Sequence, residues 1–252
     1  MYPILDRYGP FFLHSYTVIM AVGLATGIVL TAWLERRDGG NRPGWIDGLI
    51  VALLAGLIGG RAGFVVGNWT YFSEEPGQIG LVWQGGLSYH GALLAGLLGL
   101  LVWTAWRGRP FAQYAGLLAP ALVLVSAFGW LACWFEGCAF GRETTFGPLA
   151  ADLPDSYGVF GLRYQTQLLG LVLCLLLFPA AMALRGRLRP GLLFGLTIIF
   201  LSASRIVVTL FRGDEVLMLG PARWDMVLDG AIALVVVLIL VFAGVWRSFA
   251  NR

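Results

Sequence analysis

The chain has 252 residues, of which 58% are hydrophobic and 12% charged, with a formal net charge of +3 and a mean hydropathy of +0.79. A soluble domain carries about twice that charged fraction, so the composition excludes a soluble enzyme and places the chain in a membrane. All seventeen cations are arginine, which removes Schiff-base chemistry and any lysine nucleophile, and so small a net charge asks for no nucleic-acid partner.

Seven apolar runs follow one another: 16–34, 46–67, 87–106, 114–135, 167–184, 191–210 and 226–246. Each approaches the twenty or so residues that cross a bilayer as a helix. None shows the alternation of a membrane barrel strand. The expected fold is therefore all-α: a polytopic integral membrane protein with about seven transmembrane helices, forming one transmembrane domain over 1–252. The first run begins too late and extends too far for a cleaved signal peptide, so it reads as a retained span.

Arginine counting sets an expected orientation. After spans one, three, five and seven come Arg36, Arg37, Arg42, Arg107, Arg109, Arg185, Arg187, Arg189, Arg247 and Arg252, ten in all. The opposite side holds five, at Arg7, Arg142, Arg163, Arg212 and Arg223. The arginine-rich side faces the cytoplasm by the positive-inside rule, which puts the N-terminus outside and the C-terminus inside. The outer connections, 69–86, 136–166 and 211–225, are longer and richer in acids, aromatics and glycine. The 136–166 connection exceeds a simple turn and reads as a lid or a substrate-binding loop.

The stretch Gln84-Gly85-Gly86-Leu87-Ser88-Tyr89-His90-Gly91 opens the third span. Ser88 is a candidate N-cap, and a helix N-terminus in lipid favours anions. His90 reads either as an interfacial histidine bonded to backbone or as a general base near neutral pH. Arg61, between glycines in span two, reads as an internally paired charge or as a clamp for phosphate or carboxylate. Arg205, late in span six, is a charge too costly to leave alone in lipid. These three groups are expected to converge on one wet cavity. Arg212 reads as an interfacial charge, and Gln167 as a cavity-lining group or a cap.

Cysteine is sparse. Cys174 lies in an apolar run and reads as core. Cys133 and Cys138 are five apart, about 140° around an ideal helix, so they share no face unless the helix ends between them. A disulfide, a reactive thiol and two inert side chains all stay open. His14 and His90 are the two imidazoles, and no metal-ligand spacing accompanies them. Pairs such as Gly23 with Gly27 and Gly56 with Gly60 read as close helix packing.

Several of these motifs together are similar to a known family. Gly59-Gly60-Arg61-Ala62-Gly63-Phe64, then Trp83-Gln84-Gly85-Gly86-Leu87-Ser88-Tyr89-His90-Gly91, resemble the bacterial prolipoprotein diacylglyceryl transferases. So do Thr166-Gln167-Leu168, Ser204-Arg205-Ile206 with Phe211-Arg212, and His14-Ser15-Tyr16. The resemblance implies seven spans and an outside N-terminus in the bacterial cytoplasmic (inner) membrane. It implies transfer of the diacylglyceryl group of phosphatidylglycerol to the lipobox cysteine thiol in the signal-peptide region of a preprolipoprotein, without a cofactor. The family's essential histidine maps to His90 and its span-six arginine to Arg205. Its span-two arginine maps to Arg61, its first-span tyrosine to Tyr16, and its motif glycine after span four to Gly141. Arg61 and Arg205 are then expected to hold the lipid phosphate, with Tyr16 and Gln167 on the head group and Ser88 and Arg212 completing the substrate-binding set. His90 is expected to take the thiol proton.

The segment 129–142 departs from the family pattern: Trp130 replaces an arginine, Cys133 an asparagine and Cys138 a glutamate, and Thr209 stands for another glutamate after Arg205. Two further readings follow from these changes. Cys133 or Cys138 acts as a nucleophile that carries a lipid or acyl group. Alternatively the chain is a divergent paralogue serving another acceptor, or a lipid or solute transporter or binding protein that has lost the chemistry.

Overall fold

The computed structural model describes residues 4–8, 11–82, 85–145, 147, 149–155 and 157–250. Trp83 and Gln84 of the span-three motif and Arg252 of the arginine count lie outside the described residues.

A hairpin, β1 (Ile4–Tyr8) with β2 (Phe11–His14), leads directly into α1 (Ser15–Arg37). Next come α2 (Trp45–Gly67), the short α3 (Trp69–Glu74) and a 3₁₀ turn at Pro76–Gln78. Two long helices follow, α4 (Tyr89–Trp106) and α5 (Phe111–Glu136). A second hairpin, β3 (Ala150–Pro154) with β4 (Phe160–Tyr164), precedes α6 (Thr166–Leu184) and α7 (Pro190–Thr209). A two-residue pair, β5 (Met218–Leu219) with β6 (Ala222–Arg223), turns into α8 (Trp224–Ala250).

Seven of these helices are long and apolar enough to cross a membrane: α1, α2, α4, α5, α6, α7 and residues Trp224–Gly244 of α8. The seven expected spans are thus present, with ends shifted by a few residues. The three hairpins are additions to the all-α expectation. The 136–166 connection is largely occupied by β3 and β4, whose turn is built by Asp155. Its carboxylate accepts from the amides of Tyr157 at 2.9 Å and Val159 at 3.0 Å. The Val159 amide, with Arg163 nearby, holds that carboxyl below the usual carboxylate range.

Where the sequence reads as one domain, the packing forms two compact units, Gly40–Ala115 and Met1–Gly39 with Gly116–Arg252. In the first, α2 and α4 meet along a seam of small residues. A Cβ at Gly56 would lie 3.2 Å from the Ala92 carbonyl oxygen, and one at Gly96 3.1 Å from that of Ala52. Only small side chains let two backbones come this close in lipid, where packing replaces the hydrophobic effect as the force between helices. At the other end of the seam, Trp103 lies against Gly48 and makes an edge contact with Tyr114, whose hydroxyl donates to Pro43 O at 2.9 Å.

The second unit has its core between α5, α6 and α7, at Val123, Ala127, Trp130, Cys174, Leu201 and Val208. Cys174 is core, as its apolar run predicts. Phe128 of α5 fills the space over Gly23 of α1, and Val125 that over Gly27, so both glycine pairs serve close packing.

Candidate functional site

The site residues divide between the two units.

In the Gly40–Ala115 unit, Ser88 caps α4: its hydroxyl accepts from the Gly91 amide at 3.3 Å. Its own amide donates to Gly60 O at 2.8 Å, tying the start of α4 to α2. His90 is therefore fixed in the first turn of α4 and is 7% exposed, its ring edge-on to Tyr89.

Arg61 has a different place from the expected phosphate clamp. Its Nε donates to Ile79 O at 2.8 Å and one terminal nitrogen to Gln78 O at 2.7 Å. The other terminal nitrogen donates to Gly85 O at 2.8 Å and Gly86 O at 3.2 Å. Four of the five guanidinium donors are engaged by backbone carbonyls, while the rings of Phe64 and Phe72 lie 5.7 and 5.2 Å from its Cζ. Gly85 and Gly86 adopt φ of +88° and +77°, a region L side chains seldom enter, and that is what turns both carbonyls inward. Arg61 thus ties the carbonyls of Gln78, Ile79, Gly85 and Gly86 to α2, ahead of the start of α4 that carries His90.

In the other unit, α5 ends at Glu136, between the two neighbouring cysteines, and Cys133 and Cys138 are joined by a disulfide with Cα atoms 4.8 Å apart. The end of the helix supplies the shared geometry that an unbroken helix denies. In that state neither sulfur is a thiol nucleophile, which corrects the reactive-thiol expectation for both. Just past the ring, Gln167 Nε2 donates to Cys138 O at 2.8 Å and Thr166 Oγ1 to Ala139 O at 2.5 Å. Gln167 is fully buried, and its amide holds the disulfide loop.

Gly141 lies where three segments cross. It pairs with Arg212 as an isolated bridge, and a Cβ there would collide with the carbonyl oxygen of Tyr164. The Arg142 amide donates to Phe211 O at 2.8 Å. The lack of a side chain at Gly141 is what lets these segments cross. The Arg212 side chain is drawn into a network rather than left at an interface. It pairs with Asp214 and with Asp225 at 2.9 Å, and Arg223 reaches both acids as well. Burial alone would lower the affinity of Arg212 for its proton; the bond and charge of Asp214 override that and raise it.

Arg205 keeps a site-like environment. From α7 its Nε donates to Asp229 Oδ2 of α8 at 3.3 Å, and its Cζ stands 5.9 Å from the ring of Trp130 on α5. Gly170 of α6 leaves the space for that indole. Tyr16, in the first turn of α1, is 37% exposed. One residue before α1, His14 Nδ1 pairs with Glu136 Oε1 at 3.0 Å, anchoring the start of α1 to the end of α5. Asp229 and the His14–Glu136 pair escape the sequence reading. The signal for Asp229 was a lone acid inside the seventh apolar run.

Residues 3–246 match the profile of a family described as prolipoprotein diacylglyceryl transferase. A protein of Trichormus variabilis named phosphatidylglycerol–prolipoprotein diacylglyceryl transferase is 31% identical over 233 residues, 88% of this chain and 82% of the relative. Proteins of the same name from Limosilactobacillus reuteri and Bacillus velezensis are 30% and 27% identical, covering 90% and 99% of this chain and 86% and 94% of their own.

Proposed function

We propose, because the chain belongs to the prolipoprotein diacylglyceryl transferase family, that it moves the diacylglyceryl group of phosphatidylglycerol onto a cysteine thiol of a prolipoprotein. It is a multi-pass membrane transferase. The observation that carries the reading is the family match across 3–246, together with a partly buried cation, Arg205, paired with Asp229 and close to Trp130.

The reaction forms one bond from the acceptor sulfur to a glycerol carbon and breaks the bond from that carbon to a phosphate oxygen. Glycerol phosphate leaves, and the thiol gives up a proton. Arg205 holds the phosphate and offsets the charge that grows on the leaving oxygen. His90 takes the thiol proton, since a free cysteine is mostly protonated at neutral pH. Tyr16 hydrogen-bonds the lipid head group. This mechanism requires the lipid to enter from the outer leaflet of the cytoplasmic membrane. The acceptor cysteine arrives in a signal-peptide segment, and the N-terminus lies outside.

The test is transfer from phosphatidylglycerol labelled in its acyl chains to a synthetic lipobox peptide, using the full chain reconstituted in vesicles. The expected products are a labelled thioether and free glycerol phosphate. Movement of lipid between vesicles with no covalent product would overturn the reading in favour of transport.

A further inference from the structure

We infer that Asp229 is a positioning residue: it fixes the orientation of the Arg205 guanidinium, doing from α8 what a carboxylate one turn past Arg205 on α7 would do. The inference rests on the phosphate-holding role proposed for Arg205.

Three observations carry it. The Asp229 side chain is 1% exposed and lies within a helix apolar enough to cross a membrane. A carboxylate in such a place is strongly destabilising unless a cation meets it, and Arg205 does so through Nε at 3.3 Å. Second, Trp130 presents its ring to the same guanidinium at 5.9 Å from Cζ. The acid constrains the guanidinium from the Nε side and the indole lies against the group, so two neighbours on two other helices restrict its rotation. Third, Thr209 sits four residues after Arg205 on α7 and is 2% exposed. Positions i and i+4 lie on one helix face within side-chain reach, so a glutamate at 209 could meet the same guanidinium. The chain has a neutral threonine there and its acid on α8.

The role is orientation, not added charge. Asp229 is negative and weakens the pull of Arg205 on a phosphate at rest. Its removal therefore leaves resting lipid binding intact or tighter, while the loosened guanidinium meets the leaving oxygen less often in the productive geometry. Interactions realised only in the transition state act on kcat, and uniform binding acts on KM.

The experiment uses the full chain in vesicles, with Asp229→Asn, Asp229→Glu and the pair Thr209→Glu with Asp229→Asn. Asp229→Asn is expected to lower kcat about a hundredfold, the scale of a misplaced reacting group, with KM for phosphatidylglycerol unchanged or lower. The paired variant is expected to recover kcat to within about tenfold of the parent, because it returns a carboxylate to the same guanidinium. A merely structural role predicts no such recovery. Should Asp229→Asn fail to give a monodisperse protein in detergent, Asp229→Glu and the paired variant decide the matter.

A second readout stands apart from turnover. Phenylglyoxal modification of Arg205, followed by peptide mass spectrometry, is expected to speed up severalfold in Asp229→Asn and to slow again in the paired variant. Asp229→Asn with parental kcat, a paired variant no better than Asp229→Asn, or an unchanged rate of Arg205 modification would each overturn the inference. Failure of the unaltered chain to make thioether would instead overturn the proposed reaction, leaving the modification rates to judge Asp229.

Discussion

At the scale of single residues, the charges in this chain separate by what they touch. Arg61 and Arg205 look alike in the sequence, each alone in an apolar run. The first meets four carbonyl oxygens and the second a carboxylate and an indole. Arg61 therefore belongs to folding, and its loss should show as instability before it shows as chemistry. Arg61→Ala leaves the carbonyls of Gln78, Ile79, Gly85 and Gly86 without their donor, at a cost on the order of 1–3 kcal/mol for each buried acceptor that water does not reach. The expected outcome is a lower thermal midpoint in detergent and faster proteolysis within 76–86. Arg61→Lys should recover little, because one ammonium cannot span four acceptors arranged around a planar fork. Normal loop protection in Arg61→Ala would return the residue to the list of phosphate ligands.

Elements reveal why the helices were legible and the rest was not. A run of twenty apolar residues has one solution in lipid, since every backbone group must bond within the segment. That made α1, α2, α4, α5, α6, α7 and α8 readable within a few residues. The strands are two to five residues long and lie in connections too short to show a period. Asp229 was hidden by the same logic that exposed α8, because one acid among so many apolar residues leaves the hydropathy signal intact. The inward carbonyls that hold Arg61 depend on the positive φ of Gly85 and Gly86, which composition alone does not display.

The disulfide shows how a loop can be braced where polar side chains stand in the family pattern. Cys133, the last turn of α5 and Cys138 form a small closed ring. Gln167 and Thr166 of α6 then hold the carbonyls of Cys138 and Ala139 on its rim. Replacing both cysteines by serine should lower stability on the order of 2 kcal/mol, from the chain entropy released when so short a loop opens. Transfer to a lipobox peptide should be reduced but not abolished, with no covalent lipid adduct on either position in the parent protein. Complete loss of turnover together with a trapped thiol adduct would restore the nucleophile reading.

For the whole molecule, the orientation proposed from arginine counting meets an independent chemical argument. Ten arginines follow spans one, three, five and seven in the sequence, and five precede span one or follow spans four and six, a bias from which the positive-inside rule would put the first group in the cytoplasm. The disulfide sits at the end of α5, immediately before Arg142, on the side with fewer arginines. Disulfides persist in the periplasm or outside the cell and are reduced in the cytoplasm, so an outer position of the Cys133–Cys138 ring agrees with the proposed orientation. Cys174, the third cysteine, is buried and unbonded to another cysteine in the middle of α6, and contributes no competing exposed thiol. In spheroplasts, a membrane-impermeant maleimide is expected to leave the protein unlabelled, then to label Cys133 and Cys138 once an impermeant reductant has been added outside. A fluorescent protein that matures only in the cytoplasm, fused after Arg252, is expected to light up in the same cells. Labelling that needs membrane permeabilisation, together with a dark C-terminal fusion, would invert the topology and put the hairpin of β3 and β4 on the cytoplasmic face. The proposed entry of phosphatidylglycerol from the outer leaflet would fall with it.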